Sequence, residues 1–325
     1  MAVSPSPDPA RPRIRLGISA CLLGEPVRYD GQHKLDRYLR DTLGRYVEWI
    51  PVCPEVECGL PVPREAMRLV GDPASPRLVT QRTGVDHTDR MLSWAAQRLD
   101  ALDAEDLCGF VFKSGSPSSG MERVKVYGAK GMPEKVGVGL FARAFMERFP
   151  LLAVEEEGRL HDPLLRENFV ERIFAYRRWR EACARGRTRG NLVDFHTREK
   201  LLVLSHSPKH YQAMGRLVAA AKEFEPEELY RRYGELLVEA LRLKATPRKN
   251  ANVLQHALGY FKKDLTAAEK QELLEVIDQY RTELVPLVVP LTLVVHYVRK
   301  YDQPYLKLQT YLSPHPAELQ LRNHV

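Results

Sequence analysis

The sequence predicts an α/β protein: an N-terminal Rossmann-like domain with a parallel sheet, residues 13–157, followed by an all-α C-terminal domain, residues 158–325. In the first half, apolar runs of strand length alternate with helical segments, which is the pattern of βαβ units. In the second half, apolar residues recur mainly at helical spacing. The 325-residue chain is also long enough for two domains of about 150 residues each.

The first domain is expected to begin after residues 1–12, a lead with four prolines that we interpret as disordered. Three strands end in turns of small residues, and a fourth strand follows them: Ile14–Ala20, Tyr46–Val52, Cys108–Lys113 and Arg123–Tyr127. Three helices lie between or after them: Lys34–Leu43, Asp89–Leu102 and Gly139–Arg148.

The acidic stretch 155–158 marks the expected domain boundary. Beyond it, helix breaks are expected at Gly190, Ser207-Pro208, Pro226 and Pro247, because glycine and proline interrupt helical periodicity. The tail after Pro304 is expected to be irregular.

Positive charge is concentrated in one part of the helical half. Residues 166–222 hold 13 Lys and Arg against 5 Asp and Glu, while the whole chain has a net charge of +7. Such an excess raises affinity for polyanions, although a solvated helix face followed by a loop has the same composition.

The longest apolar stretch, Leu284–Val295, is about a dozen residues long and contains two prolines. A membrane span needs roughly 20 apolar residues, so no membrane partner is expected. The N-terminus also lacks the apolar core of a signal peptide, which favours a cytoplasmic location.

Chemistry-bearing residues follow the expected strands. Ligands bind beyond the carboxyl ends of parallel strands, where the sequence places Cys21, then Cys53 with Glu55 and Cys58, and then the serine-rich stretch 114–119. Five cysteines are too few for a disulfide framework in so long a chain, so the grouped ones point to metal binding or catalysis. Cys108 and Cys183 are expected to be structural.

These strand-end segments resemble the thiouracil desulfidase (TudS) family. Its SACL, RYDG, CPE and SPSCG motifs match, in order, residues 19–22, 28–31, 53–55 and 116–120, the last reading SPSSG. Two later segments, Phe195–Tyr211 and Pro304–Leu319, resemble the YbgA-type helical domain. The fused arrangement is similar to that of RudS-type enzymes, which remove sulfur from 4-thiouridine in tRNA.

The resemblance implies a [4Fe-4S] cluster held by three cysteines, with one iron open to the substrate sulfur. Cys21 and Cys53 match two ligands, Glu55 the catalytic glutamate and Ser116 the catalytic serine. Ser119 stands where the family has its third cysteine. We predict Cys58 as the third ligand because thiolate is the softer donor. An oxygen ligand from Ser119 is the alternative, and a cluster with two protein ligands or none is also open.

The sequence therefore predicts an iron–sulfur-dependent desulfidase that acts on 4-thiouridine in tRNA, with no DNA partner. Two alternatives stay open: a desulfidase of free thiouracil or thiouridine nucleotides, and a non-enzymatic RNA-binding protein whose cluster site has decayed. The candidate RNA-binding residues are basic side chains of the helical half: Arg185, Arg187, Arg189, Lys200 and Lys209.

Overall fold

The protein is described by a computed structural model that covers residues 13–128 and 131–324. The predicted Pro-rich lead, residues 1–12, lies outside the described residues. The chain divides into two compact units, an α/β unit that ends at Asp162 and a helical unit that begins at Pro163. The predicted fold class, a parallel-sheet α/β unit followed by helices, is confirmed.

The α/β unit is built on a four-stranded, fully parallel sheet in the order β2-β1-β5-β8. Its strands are β1 (Ile14–Ser19), β2 (Val47–Val52), β5 (Gly109–Phe112) and β8 (Ala153–Glu156). Phe110 and Phe112 of β5 are fully buried and contact Phe145 with ring centroids 4.8 and 5.6 Å away. These aromatic side chains fix one face of the sheet in the core, so the loops at its carboxyl edge rest on a rigid base.

The other described strands of this unit form a second sheet in the order β4-β3-β6-β7. It contains β3 (Met67–Val70), β4 (Arg77–Thr80), β6 (Val124–Tyr127) and β7 (Pro133–Gly137). The strand predicted at 123–127 therefore exists, but it belongs to this sheet and not to the parallel one. The fourth parallel strand is β8, whose two glutamates fall in the acidic stretch that was predicted to mark the domain boundary. Both are buried, since Glu155 pairs with Arg159 and Glu156 accepts a hydrogen bond from the Met121 amide.

The helices of the α/β unit are α1 (Pro54–Glu57), α2 (Thr88–Asp103) and α3 (Leu140–Arg148). The last two confirm the predictions for residues 89–102 and 139–148. The prediction of a helix over residues 34–43 is wrong for its first turn, because helical geometry begins only near residue 37. The amides of Lys34 and Asp36 donate instead to the carbonyls of Cys21 and Leu22, which holds that stretch against the turn after β1.

The helical unit contains α4 (Pro163–Ala184), α5 (Arg189–His206), α6 (Pro208–Ala219), α7 (Pro226–Arg242), α8 (Pro247–Leu258), α9 (Ala267–Arg281), α10 (Val288–Lys300) and α11 (Pro304–Lys307). The predicted breaks at Pro208, Pro226 and Pro247 are confirmed, each proline occupying the first helical position, where its missing N–H costs nothing. Gly190 instead lies in the first turn of α5, which Thr188 caps. No helix in the described part of the chain has both the length and the apolar character needed to cross a membrane.

Candidate active site at the carboxyl edge of the parallel sheet

The carboxyl ends of β1, β2 and β5 surround a cleft of about 320 Å³, here called the strand-end cleft. Ser19, the last residue of β1, is in register with Val52, the last residue of β2. Since neighbouring strands lie about 4.8 Å apart, the residues that follow them emerge side by side. The polar and ionisable residues that line the cleft include Cys21, Arg28, Lys34, Cys53, Glu55, Arg64, Lys113, Ser114, Ser116 and Ser119.

Two thiols face this cleft. Cys21 lies in the 3₁₀ turn after β1, and Cys53 is the residue between β2 and α1. Burial raises the pKa of Cys21 to about 11, although the nearby Lys113 charge acts in the opposite direction. Burial, followed by the Glu55 charge, raises the pKa of Cys53 to about 12. Both are therefore neutral thiols at pH 7 until a metal ion binds them.

Cys58 is placed differently from these two thiols. It ends α1 and packs in an apolar cluster with Leu60 and Met91, and it is not among the residues that line the cleft. Its Sγ lies 3.3 Å from the Glu55 carbonyl oxygen. The Arg90 guanidinium donates to the Cys58 carbonyl at 2.6 Å and fixes this turn. To reach the cleft, the Cys58 side chain would have to leave the apolar cluster.

Glu55 is the carboxylate of the cleft. It lies in the first turn of α1, where Pro54 occupies the first helical position and an acidic side chain is favoured by the helix dipole. Its Oε1 accepts a hydrogen bond of 2.6 Å from Ser118 Oγ. Its Oε2 lies 3.6 Å from Cys53 Sγ and 3.8 Å from Nη2 of the buried Arg64. The carboxylate is thus held on one side and faces a thiol and a cation on the other.

The serine loop after β5 supplies hydroxyls from three positions. Ser116 Oγ accepts the amide protons of Ser118 and Ser119 and lies 3.0 Å from Ser118 Oγ. Ser119 Oγ lies 3.4 Å from Ser118 Oγ. A Cβ on Gly139 would come within 2.5 Å of the Ser118 carbonyl, so glycine there lets the start of α3 press against the loop. Ser116, Ser118 and Glu55 therefore form one continuous hydrogen-bonded chain.

Sequence reasoning missed two members of this arrangement. Ser118 is fully buried and is the serine that binds Glu55 directly, whereas the sequence pointed to its neighbour Ser116. Arg64 follows Glu55 by nine residues and reaches it only because the intervening loop folds back. The serine-rich motif contained the signal for Ser118, but no pattern in the sequence singles out Arg64.

Lys113, also at the cleft, is engaged by a carboxylate. Its Nζ lies 2.5 Å from Glu157 Oε1 and donates to the Ser114 carbonyl at 2.9 Å. The Lys113 charge and its hydrogen bond lower the pKa of Glu157 despite burial, which acts to raise it. This ion pair holds the end of β5 beside the end of β8, its neighbour in the sheet.

The three predicted RNA-binding arginines have different environments. Arg185 is exposed. Arg187 forms an ion pair with Glu227. The Arg189 guanidinium donates to the Ala221 carbonyl at 2.9 Å, which makes it a link between loops of the helical unit.

The predicted lysines and the aromatics near them also differ in exposure. Lys209 is exposed at the start of α6, whereas Lys200 Nζ lies 4.9 Å from the centre of the Tyr305 ring. Trp179 and Phe195 are buried in the helical core with ring centroids 5.2 Å apart. Arg185, Arg187, Arg189 and Lys209 are therefore all exposed, and two of them, Arg187 and Arg189, are also engaged by Glu227 and by the Ala221 carbonyl.

Comparisons with known proteins define the class of each unit. Residues 16–157 match the family model described as 2-thiouracil desulfurase, and residues 200–316 match that of a protein of unknown function, DUF1722. A solved structure titled [4Fe-4S]-dependent thiouracil desulfidase TudS is 33% identical, covering 46% of this chain and 95% of its own, with a TM-score of 0.38. The chain thus joins an α/β segment that matches the 2-thiouracil desulfurase model to a helical segment that matches DUF1722.

The uncharacterized protein YbgA of Escherichia coli (strain K12) is 36% identical over 153 residues, which are 47% of this chain and 90% of that relative. The chain belongs to the YbgA family.

Proposed function

We propose that this chain is an iron–sulfur-dependent desulfidase that removes sulfur from a thiolated pyrimidine, with 4-thiouridine in tRNA as the substrate. One observation carries the proposal. The strand-end cleft brings two thiols and the serine-bound carboxylate of Glu55 together inside the segment that matches the 2-thiouracil desulfurase family.

The donors around the cleft fit a [4Fe-4S] cluster. Iron–sulfur clusters prefer thiolate ligands, and Cys21 and Cys53 supply two sulfurs from neighbouring strand ends. When bound at these residues, the cluster would supply Lewis-acid chemistry toward the sulfur of the substrate. Metal binding also deprotonates a coordinating thiol, which overcomes the unfavourable effect of burial on the thiolate.

For the third protein ligand, the placement of the side chains favours Ser119 over Cys58. Ser119 lines the same cleft as the two thiols, whereas Cys58 packs in the apolar cluster behind it. We therefore propose that the Ser119 oxygen completes the ligand set and that Cys58 stabilises the turn after α1.

Glu55, Ser118 and Ser116 have separate roles in the attack of water on the substrate. Replacing the thiocarbonyl sulfur by oxygen consumes one water and releases hydrogen sulfide, so a base must take a proton from the water. Ser118 holds Glu55 Oε1, which leaves Oε2 to accept that proton. General-base catalysis of this kind is typically worth about 10²–10⁴ in rate. Ser116, at the cleft end of the hydrogen-bonded chain, orients the water.

The size of the cleft and the charge of the helical unit support a base presented on tRNA. A volume of about 320 Å³ is at the small end of ligand sites, which suits a single pyrimidine. A base in tRNA must be unstacked before it can enter, at a cost of a few kcal/mol. Arg185 and Lys209 supply exposed positive charge for phosphate contacts, which position a nucleic acid without reading its sequence.

Two other functions have some support. The small cleft also suits free thiouracil or a thiouridine nucleotide. Ser119 in place of a third thiol favours a non-enzymatic RNA-binding protein that has lost its cluster.

Anaerobic reconstitution with iron and sulfide, followed by incubation with thiolated tRNA, 4-thiouridine monophosphate or 2-thiouracil, distinguishes these functions. We expect sulfide release to be fastest from tRNA and to disappear in Cys21→Ala and Cys53→Ala variants. Preference for the small substrates would remove tRNA as the substrate. Tight tRNA binding without sulfide release from any substrate would support the non-enzymatic function.

A further inference from the structure

A buried polar network lies in the helical unit, apart from the strand-end cleft. Glu167 and Glu171 are one helical turn apart on α4, and His206 is the last residue of α5. His315 and Arg322 come from the C-terminal segment. These five residues, here called the carboxylate–histidine network, border or adjoin a cavity of about 60 Å³. His206 and His315 lie in the two segments whose sequence resembles the YbgA-type domain.

Glu171 is the most strongly held member of the network. His206 Nε2 lies 3.0 Å from its Oε2, and Arg322 Nη2 lies 2.7 Å from its Oε1. Burial alone would raise the pKa of Glu171, but the His206 hydrogen bond and the Arg322 charge hold it well below its usual range. Glu171 is therefore an oriented carboxylate with lone pairs still available, as in carboxylate ligands whose outer partners fix them.

The pKa of Glu167 is shifted in the opposite direction to that of Glu171. Burial, and then the neighbouring Glu171 charge, raise the pKa of Glu167 to about 8. Arg322 Nε lies 3.4 Å from its Oε1, and His324 Nε2 lies 3.2 Å from its Oε2.

His315 provides the observation that points to a ligand. The residue is 8% exposed, and its Nδ1 lies 3.2 Å from the Pro316 carbonyl oxygen, to which an Nδ1–H donates. Its buried Nε2 has no hydrogen-bond partner among the described residues. Burial, with the Arg322 charge, lowers the pKa of His315. Histidines that bind metals typically donate one ring N–H to a carbonyl in this way and offer the other nitrogen to the metal.

We propose that Glu167, Glu171 and His315 form a site for a divalent transition metal of the Zn²⁺ class. One ligand atom from each of these residues lies within 4.8 Å of the others. Carboxylate and imidazole donors bind Zn²⁺ at about 2.0–2.2 Å, so a small inward movement of the side chains closes the site. Three protein ligands leave a fourth position for water, and the adjoining cavity of about 60 Å³ has room for roughly two. Arg322 and His206 then hold Glu171 in place from outside the metal.

The test is calorimetric titration of the full chain with ZnCl₂ after chelator treatment, in a Cys21→Ser/Cys53→Ser background that removes the thiols of the strand-end cleft. We expect one Zn²⁺ per chain, and an affinity at least tenfold lower in Glu167→Gln and in His315→Gln. Glutamine at position 167 keeps the size of the side chain, and a thermal melt without metal checks that the variant folds as the parent does. Glu239→Gln is the matched control, because Glu239 is an exposed carboxylate paired with His210.

Absence of Zn²⁺ binding in the parent would overturn the proposal. Equal Zn²⁺ affinities of the parent and the Glu167→Gln variant would also overturn it. If the His315→Gln variant does not fold, the Glu167→Gln comparison is sufficient by itself. Neither result bears on the desulfidase chemistry, because the proposed cluster ligands and the proposed base lie in the α/β unit.

Discussion

Ser118 Oγ donates a 2.6 Å hydrogen bond to Glu55 Oε1, although the two residues are 63 positions apart in the chain. The bond connects the first turn of α1 to the loop after β5. Ser118 is fully buried, so the serine side of this contact is shielded from solvent. The orientation of the cleft carboxylate is therefore set by a residue that does not itself line the cleft.

If Glu55 is the general base, Glu55→Gln should lower kcat by about 10²–10⁴, because the amide cannot accept the proton of the attacking water. Single-turnover sulfide release by the reconstituted protein measures this effect. Iron content should stay at the wild-type level, since the amide leaves both thiols in place. Glu134→Gln, at an exposed position of β7, is the control. A Glu55→Gln enzyme with wild-type turnover would remove Glu55 from the chemistry.

Ser118→Ala tests the positioning role of the buried serine. A hydrogen bond to a charged group contributes about 1.5–3 kcal/mol, so kcat should fall roughly tenfold to hundredfold while KM changes little. The decisive measurement is a double-mutant cycle. In the Glu55→Gln background the Ser118 substitution should have much less effect, because coupled residues are not additive. Additive losses would show that Ser118 acts only on the stability of the loop.

The sequence predicted the parts of the fold that depend on local pattern. The strands β1, β2 and β5 are mostly apolar and lead into turns that contain small residues, and the prolines that begin α6, α7 and α8 act within one helical turn. β8 was missed because burial of Glu155 and Glu156 depends on Arg159 and the Met121 amide, which the pattern does not encode.

The same distinction applies to the site. The loops that follow parallel strands meet at one edge of the sheet whatever their sequence, so Cys21, Cys53 and Glu55 could be placed together before their geometry was known. The environment of Cys58 could not, because it depends on Leu60 and Met91 drawing that side chain into an apolar cluster. The hydrogen-bonded order of the three serines likewise depends on how α3 packs against their loop.

The tRNA proposal depends on exposed cations of the helical unit. Arg185→Gln/Lys209→Gln should weaken tRNA binding and lower the slope of log affinity against log salt by up to about two. Fluorescence anisotropy at several salt concentrations measures the slope. Lys262→Gln/Lys263→Gln changes net charge equally at another exposed position and is the control. An unchanged slope in the first variant, or an equal change in both, would count against a specific tRNA surface. Arg189 is unsuitable for this test because it binds loop carbonyls.

His196 predicts a loss of stability in mild acid. Burial, with the Lys200 charge, lowers its pKa from 6.5 to about 4, and its Nδ1 lies 3.2 Å from the buried Tyr233 hydroxyl. Between those two pH values the unfolded chain binds a proton that the folded chain does not, so stability falls as pH decreases from about 6.5 towards 4.

In His196→Asn, which keeps a partner for the tyrosine, the loss between about pH 7 and pH 5 should be smaller by about 1–2 kcal/mol. Urea unfolding of both proteins at the two pH values measures this difference. His315 is present in both proteins, so its contribution to the pH dependence of stability cancels in the comparison. Equal losses would show that His196 is protonated in the folded state.

The third ligand position gives a gain-of-function prediction. If Ser119 completes the ligand set, Ser119→Cys should hold the cluster more tightly, because thiolate is a better iron ligand than a hydroxyl. We expect this variant to lose iron to a chelator more slowly than the wild type does. The loss is measured from the absorption of the cluster under anaerobic conditions. Cys58→Ala should lose iron at the wild-type rate, as should Cys108→Ala, whose thiol is fully buried. Loss of the cluster in Cys58→Ala, with no change in Ser119→Cys, would instead make Cys58 the ligand and require its turn to open when the cluster binds.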